Sequence, residues 1–234
     1  MEIIKNLLKK ARLAKYQDPL SLEAALQRSF SRGTQVQTII DVGASNGSWS
    51  KTARQFFPHT FCHLIEANSF HQPALQALKA SWKQVDFTLA AAGDRNGEIF
   101  FDGSDPFGGL ASHQATNADN ITVPVVTVDH IRHLNGLEPP FCLKLDTHGF
   151  EVPIFEGAKE TLKETSLIVV ETYNFKIAPD SLRFHEMCQY LEEKGFRCVD
   201  MCEPMFRPKD QTLWQFDLFF EPASDSKFLD NIWA

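Results

Sequence analysis

The chain has 234 residues, 43% of them hydrophobic and 20 of them Phe, enough to bury a sizeable core without disulfide or metal staples. Its formal net charge of −7 argues against a broad phosphate-binding face and so against a DNA or RNA partner. No run approaches the ~20 apolar residues of a membrane span, the N-terminus lacks a signal-peptide pattern, and five cysteines, an odd number, read as reduced thiols of a soluble, cytoplasmic protein.

Met1–Tyr16 has the pattern of a basic amphipathic helix, with Ile4, Leu7, Leu8 and Ala11 on one stripe among Lys5, Lys9, Lys10, Arg12 and Lys15. Such a helix either packs on the domain as a lid or dimer element or makes a peripheral contact with an anionic membrane. A second helix, about Leu20 to Phe30, leads into the first strand, so residues 1–36 read as an N-terminal helical cap. The β-branched run Thr38-Ile39-Ile40 then ends in Asp41 and a small-residue turn, Gly43-Ala44-Ser45-Asn46-Gly47, before a helix predicted over Ser45 to Phe57. A ligand held by that turn would meet a helix N-terminus. The turn lacks the Gly-Lys-Ser/Thr of a phosphate loop, and Ser45 stands where a dinucleotide fingerprint needs its second glycine. The next apolar run, Phe61 to Ile65, ends in Glu66, 19 residues after Gly47, the place of a carboxylate that accepts both ribose hydroxyls in a β-α-β unit. Asp41, Gly43, Gly47 and Glu66 together resemble the cofactor half of the S-adenosylmethionine-dependent methyltransferases. The plainer alternative is a doubly wound domain whose glycines only pack helix on strand.

Beyond Glu66 the pattern predicts a helix over Ser69–Ser81, with Pro73 near its start, and a strand over Val85–Ala92 that turns at Gly93-Asp94. Glu98–Phe101 and Ile121–Val126 read as strands bracketing a Gly-, Ser- and Asn-rich loop, an insertion at about 98–127. Such a loop is a lid or disordered. The core resumes with strand Phe141–Asp146, a helix over Val152–Leu162, strand Leu167–Glu171, a helix over Ser181–Lys194, and strands Phe196–Asp200 and Trp214–Phe220. With no long helix between the final pair, an antiparallel last strand is expected, as in the seven-stranded methyltransferase sheet. The methyltransferase domain spans 37–222, and 223–234 form a tail.

Lys144-Leu145-Asp146-Thr147-His148-Gly149-Phe150-Glu151, followed by Phe155-Glu156-Gly157-Ala158, resembles the signature segment of the FkbM methyltransferase family. Asp41–Ala44, Glu66-Ala67, Ala91–Asp94 before Gly97, Thr127–Asp129 and Val170-Glu171 stand where that family places them, so the resemblance covers about Thr38 to Phe220. It implies a class I, Rossmann-like α/β fold with a mostly parallel sheet. It also implies S-adenosyl-L-methionine held by Asp41, Gly43, Ala44, Ser45, Asn46, Gly47, Glu66, Ala67, Ala91 and Asp94, and O-methylation of a hydroxyl on a sugar or glycan, polyketide or related small molecule. The family usually has Glu or Gln at His148, so any role of that residue is this chain's own.

Methyl transfer is an in-line displacement that mostly requires positioning, and an alcohol is a poor nucleophile until a base or Lewis acid acts on it. Asp146, at the end of the fourth core strand, is the leading catalytic candidate, with helix capping as its structural alternative. His148 reads as a base at neutral pH or as a packing residue, and Lys144 as an ion-pair partner orienting Asp146. Asp146 and Glu171, with His148 and Asn174 nearby, would also offer hard ligands for Mg²⁺, whereas Cys198 and Cys202 lack the second pair that a zinc site needs. His113, His130, His133 and Tyr173 are further loop-borne candidates for acceptor contacts. N- or C-methylation, or an inactive methyltransferase fold serving as a binding module, are the competing functions.

Overall fold

Thr38–Val42 (β1) is buried at all five positions and has a parallel neighbour on each side, which is why it reads as a continuous apolar run rather than an alternating one. The structure is a computed structural model describing residues 18–115 and 120–233; the basic segment Met1–Tyr16 lies outside them. In chain order the elements after Leu22–Ser31 (α1) and β1 are Ser48–Ala53 (α2), Phe61–Glu66 (β2), Gln72–Ser81 (α3), Val85–Leu89 (β3), Ala91–Ala92 (β4), Gly97–Asp102 (β5), Leu110–Ser112 (β6), Ile121–Val126 (β7) and Val128–Asn135 (α4). There follow Phe141–Leu145 (β8), Glu151–Glu156 (α5), Lys159–Leu162 (α6), Thr165–Tyr173 (β9), Phe184–Glu193 (α7), Phe196–Phe206 (β10) and Leu213–Pro222 (β11).

Seven strands form the main sheet in the order β10-β11-β9-β8-β1-β2-β3. Pairs β9-β8, β8-β1, β1-β2 and β2-β3 are parallel, while β11 runs antiparallel to both β9 and β10. This is the order and polarity of a class I methyltransferase sheet. Both faces are covered: Ile40, Val42, Leu143, Leu145, Ile168 and Val170 meet Phe155 and Leu191 on one side, and Ile39, Cys142, Leu167 and Val169 meet Leu26 and Leu75 on the other. Each such side chain contributes about 1.5–3 kcal/mol on burial. Cys62 and Cys142 belong to this core, and all five cysteines are free thiols. Among the described residues no helix is long and apolar enough to cross a membrane.

Several elements differ from the expected ones for identifiable reasons. The strand expected over Val85–Ala92 divides at Ala90, whose N–H bonds to the Glu66 carbonyl; Ala91 and Ala92 then pair with β7 in a separate four-stranded sheet, β4-β7-β5-β6. The helix expected from Ser45 starts only at Ser48, because Ser45 and Gly47 have φ of 50° and 75° and cannot lie within a right-handed helix. The helix expected over Val152–Leu162 breaks at Gly157, where a Cβ would come within 2.0 Å of the Gly93 carbonyl oxygen. Helix α4 escaped the sequence reading altogether; Thr127 caps it through its hydroxyl, and Asp129 in its first turn accepts the Thr161 N–H at 2.8 Å and so joins it to α6. The last two strands are longer than expected, with bulges in β10 that keep them paired.

Candidate active site

The carboxyl ends of β1, β2, β8 and β9 lie together because these strands are parallel, and the chain leaves each through a turn that carries a polar group. Gly43, at φ 71°, opens the turn after β1 where it passes the end of β8: a Cβ here would stand 1.9 Å from the Asp146 carbonyl oxygen. Gly47 serves packing instead, its missing Cβ leaving room for the Leu78 and Leu64 methyl groups, which would lie 2.6 and 3.0 Å away. Beneath the turn, the fully buried Asp41 accepts from the Ser50 hydroxyl at 2.6 Å and pairs with the Lys144 ammonium at 3.1 Å. Lys144 also donates to the Gly43 carbonyl at 3.0 Å, so the pair staples the turn from below.

Above the turn is a cleft of about 910 Å³ counted to its open mouth. Of the residues expected to hold the cofactor, Gly43, Ser45, Glu66, Ala67 and Ala91 line it, and Asp146 and His148 lie at one end. Asp41, Ala44, Asn46, Gly47, Asp94 and Lys144 do not line it. Asp41 and Lys144 face each other in the core, Ala44 is buried, Asn46 accepts the Ser48 N–H at 3.0 Å, and Asp94 is exposed on its turn. The walls also include residues the sequence reading missed, chiefly Asn68, Phe101 and Phe107. Only Asn68 carried a signal, its position two residues beyond the strand-end acid.

The Glu66 carboxylate accepts two backbone N–H groups, from Ser45 at 2.6 Å and from Asn68 at 2.7 Å, one on each oxygen. It thus fixes the Gly turn to the end of β2, and each oxygen keeps lone pairs for a ligand's hydroxyls.

At the other end of the cleft, Asp146 Oδ2 lies 3.4 Å from the Lys144 ammonium, and His148 Nε2 lies 3.9 Å from both Asp146 Oδ1 and Glu171 Oε2. His148 is in the left-handed region at φ 53°, followed by Gly149 at φ 100°. The buried Glu151 carboxylate holds this turn, accepting the Gly149 N–H at 2.8 Å and the Thr147 hydroxyl at 3.1 Å. A non-glycine residue held in this conformation stores strain, as is common at functional sites. Glu171 accepts from the Tyr173 hydroxyl and the Gln215 amide, one on each oxygen. Asn174 donates instead to the Leu213 carbonyl at 3.3 Å. His113 packs its ring on Phe150, and His130 and His133 are exposed on α4; none of the three lines the cleft.

Burial, the largest single influence, works against ionisation of Asp146, but the charges of Lys144 and His148 and hydrogen bonds from Glu171 and Lys144 together outweigh it, and the carboxyl stays below its usual range. Its neighbour goes the other way: burial, then the charge on Asp146, push Glu171 up to about 9, and the same two causes push Asp217 up to about 7. One carboxylate is thus kept ionised beside one kept protonated, the division of roles that acid–base sites use. Between the ordinary glutamate value of 4.5 and about 9 the folded protein holds a proton on Glu171 that the unfolded chain has released, so stability should fall as pH rises through that window. Glu171→Gln should reduce this slope: thermal melts at pH 6 and pH 9 should differ less in the variant than in the parent, and equal slopes would contradict the assignment.

Residues 41–198, well over half of the chain, match the methyltransferase FkbM domain. The chain belongs to the FkbM methyltransferase family. Among solved structures, it is similar to the methyltransferase FkbM of Methylobacillus flagellatus KT, with 15% identity and a TM-score of 0.52 over 79% of this chain and 43% of that one. It is also similar to an uncharacterised protein of Listeria monocytogenes serotype 4b, with 9% identity and a TM-score of 0.50 over 89% of this chain and 70% of that one. At these identities the likeness speaks for the fold, and the FkbM chain spans less than half of the Methylobacillus protein's length. No curated protein matches the sequence.

Proposed function

We propose that this FkbM domain is a cytoplasmic O-methyltransferase that carries a methyl group from S-adenosylmethionine to a hydroxyl of a sugar or glycan, polyketide or related small molecule. The observation that carries this reading is one cleft with Glu66 at one end and, at the other, a carboxylate that Lys144 keeps ionised. The donor set suits the cofactor: Glu66 offers free lone pairs for ribose hydroxyls, Phe101 and Phe107 offer apolar ring surface, and Gly43 allows the backbone a close approach. When bound, S-adenosylmethionine supplies a methyl carbon on a sulfonium, activated for displacement.

Asp146 in this scheme accepts the acceptor's hydroxyl proton as the new oxygen–carbon bond forms, the general-base role in oxygen alkylation. Lys144 orients it and keeps it charged. Glu171, protonated and held by Tyr173 and Gln215, keeps a second negative charge away from Asp146. His148 stands between the two carboxyls, placed to orient the acceptor oxygen or to relay its proton. A second reading rests on the same three residues, since Asp146, His148 and Glu171 each offer a ligand atom within 4.8 Å of the others and could hold Mg²⁺ as a Lewis acid. Against it, the Lys144 ammonium already neutralises Asp146.

Calorimetry with S-adenosylhomocysteine tests the cofactor half of the proposal without knowledge of the acceptor. The parent protein should bind, and Glu66→Gln should weaken binding about tenfold or more, because hydrogen bonds to a charged group contribute ~1.5–3 kcal/mol. The loss will include loosening of the Gly turn, which Glu66 also holds. No binding to the parent at millimolar ligand would favour an inactive, methyltransferase-fold binding module, and unchanged affinity in a folded variant would remove Glu66 from the site.

A further inference from the structure

The roof of the cleft comes from the inserted sheet. Strands β5 and β6 pair Asp102 with Leu110, leaving residues 103–109 as a hairpin loop, and Pro106, Phe107 and Gly109 of that loop line the cleft. The loop hangs over the end that Glu66 marks, opposite Asp146.

Two side chains from the segment after β2 reach up to it. Asn68 donates its amide to the Gly103 carbonyl at 3.4 Å, and His71 Nε2 donates to the Pro106 carbonyl at 2.7 Å, an assignment forced because a carbonyl can only accept. His71 Nε2 also lies 3.3 Å from the hydroxyl of Ser45 in the Gly turn, so one imidazole touches the floor and the roof of the cleft. The ring is 3% exposed and sits edge-on between Phe70 and Phe107, each with centroids 5.2 Å away. The loop is also built to lie flat at this spot, since a Cβ on Gly109 would stand 2.3 Å from the Phe101 ring.

We propose that residues 103–109 are a lid over the ribose end of the cofactor cleft, and that His71 is the positioning residue that latches it, setting how long bound cofactor and product remain. This inference rests on the cofactor reading above. The lid excludes water from the adenosine portion and must open for exchange, so the latch governs release of S-adenosylhomocysteine rather than the chemistry at Asp146. His71 carries no proton in the reaction and acts through the loop.

Stopped-flow displacement of S-adenosylhomocysteine, with hydrogen exchange of the loop amides, tests the latch on the full chain. His71→Ala should release the ligand about tenfold faster, and ligand should no longer protect the amides of residues 103–105 and 107–109 from exchange. Phe107→Ala covers the case in which the buried substitution impairs folding: Phe107 is 66% exposed, so its loss should leave the fold intact while opening the roof and raising the release rate several-fold. Unchanged release and protection in either folded variant would overturn the latch. A parent protein that fails to bind S-adenosylhomocysteine would instead overturn the cofactor reading.

Discussion

Replacing Gly43 with Ala should cost the domain about 3 kcal/mol or more and lower its melting temperature by about 6–12 °C, with Val worse. Two effects add. The residue sits at φ 71°, where a Cβ costs about 1–2 kcal/mol, and that Cβ would stand 1.9 Å from the Asp146 carbonyl oxygen, so either the turn or the end of β8 must move. Because Lys144 donates to the Gly43 carbonyl and pairs with both Asp41 and Asp146, a shift here displaces the cofactor turn and the acceptor carboxylate together. Whatever folded fraction remains should bind S-adenosylhomocysteine at least a hundredfold more weakly. Circular dichroism melts and calorimetry measure both, and a variant with parental stability and affinity would contradict the geometry assigned to this turn.

Asp146→Asn should lower kcat by ~10²-fold or more while changing cofactor affinity far less, the scale expected of a lost base or orienting carboxylate. The substitution keeps the shape but removes the charge that Lys144 maintains and that helps to hold Glu171 protonated. Measurement needs an acceptor, which mass-shift screening of sugar and polyketide extracts would supply. The two accounts of the hydroxyl's activation then separate: chelation should leave the enzyme active if Asp146 works as a base, and should silence it, with Mg²⁺ restoring activity, if Asp146, His148 and Glu171 hold a cation. His148→Gln should lower activity and remove an acidic limb of the pH–rate profile if the imidazole carries the proton. Equal loss of kcat and cofactor affinity in Asp146→Asn would place Asp146 with the cofactor rather than the acceptor.

What the sequence disclosed and what it hid follow from how local each determinant is. The apolar runs at Thr38, Phe61, Phe141 and Leu167 declared their strands because a parallel strand buried on both faces leaves no polar alternation. Glu66 was legible because its carboxylate ends such a run. Asp41 ended a run as well, yet its side chain points into the core, and nothing in the order of residues says that Lys144, 103 positions later, takes its charge there. Gly47 and Gly43 looked alike as turn glycines, and only the neighbours that a Cβ would meet separate packing on Leu78 from the close approach to Asp146. Helix α4 was hidden because its eight residues carry just two buried side chains, Val128 and Ile131, too few for a helical stripe. The lid residues Pro106 and Phe107 lay in a stretch whose composition signals only a loop, and their place over the cleft depends on pairing between β5 and β6.

In the proposed reading one cleft holds S-adenosylmethionine with its ribose on Glu66 and its transferable methyl group toward Asp146. A crystal structure of the S-adenosylhomocysteine complex tests it most directly. Both ribose hydroxyls should lie within hydrogen-bonding distance of the Glu66 carboxylate, the homocysteine portion over Gly43, and the sulfur facing the end of the cleft formed by Asp146 and His148. A ligand bound elsewhere, or one seated here with its ribose away from Glu66 and its sulfur turned from Asp146, would contradict it.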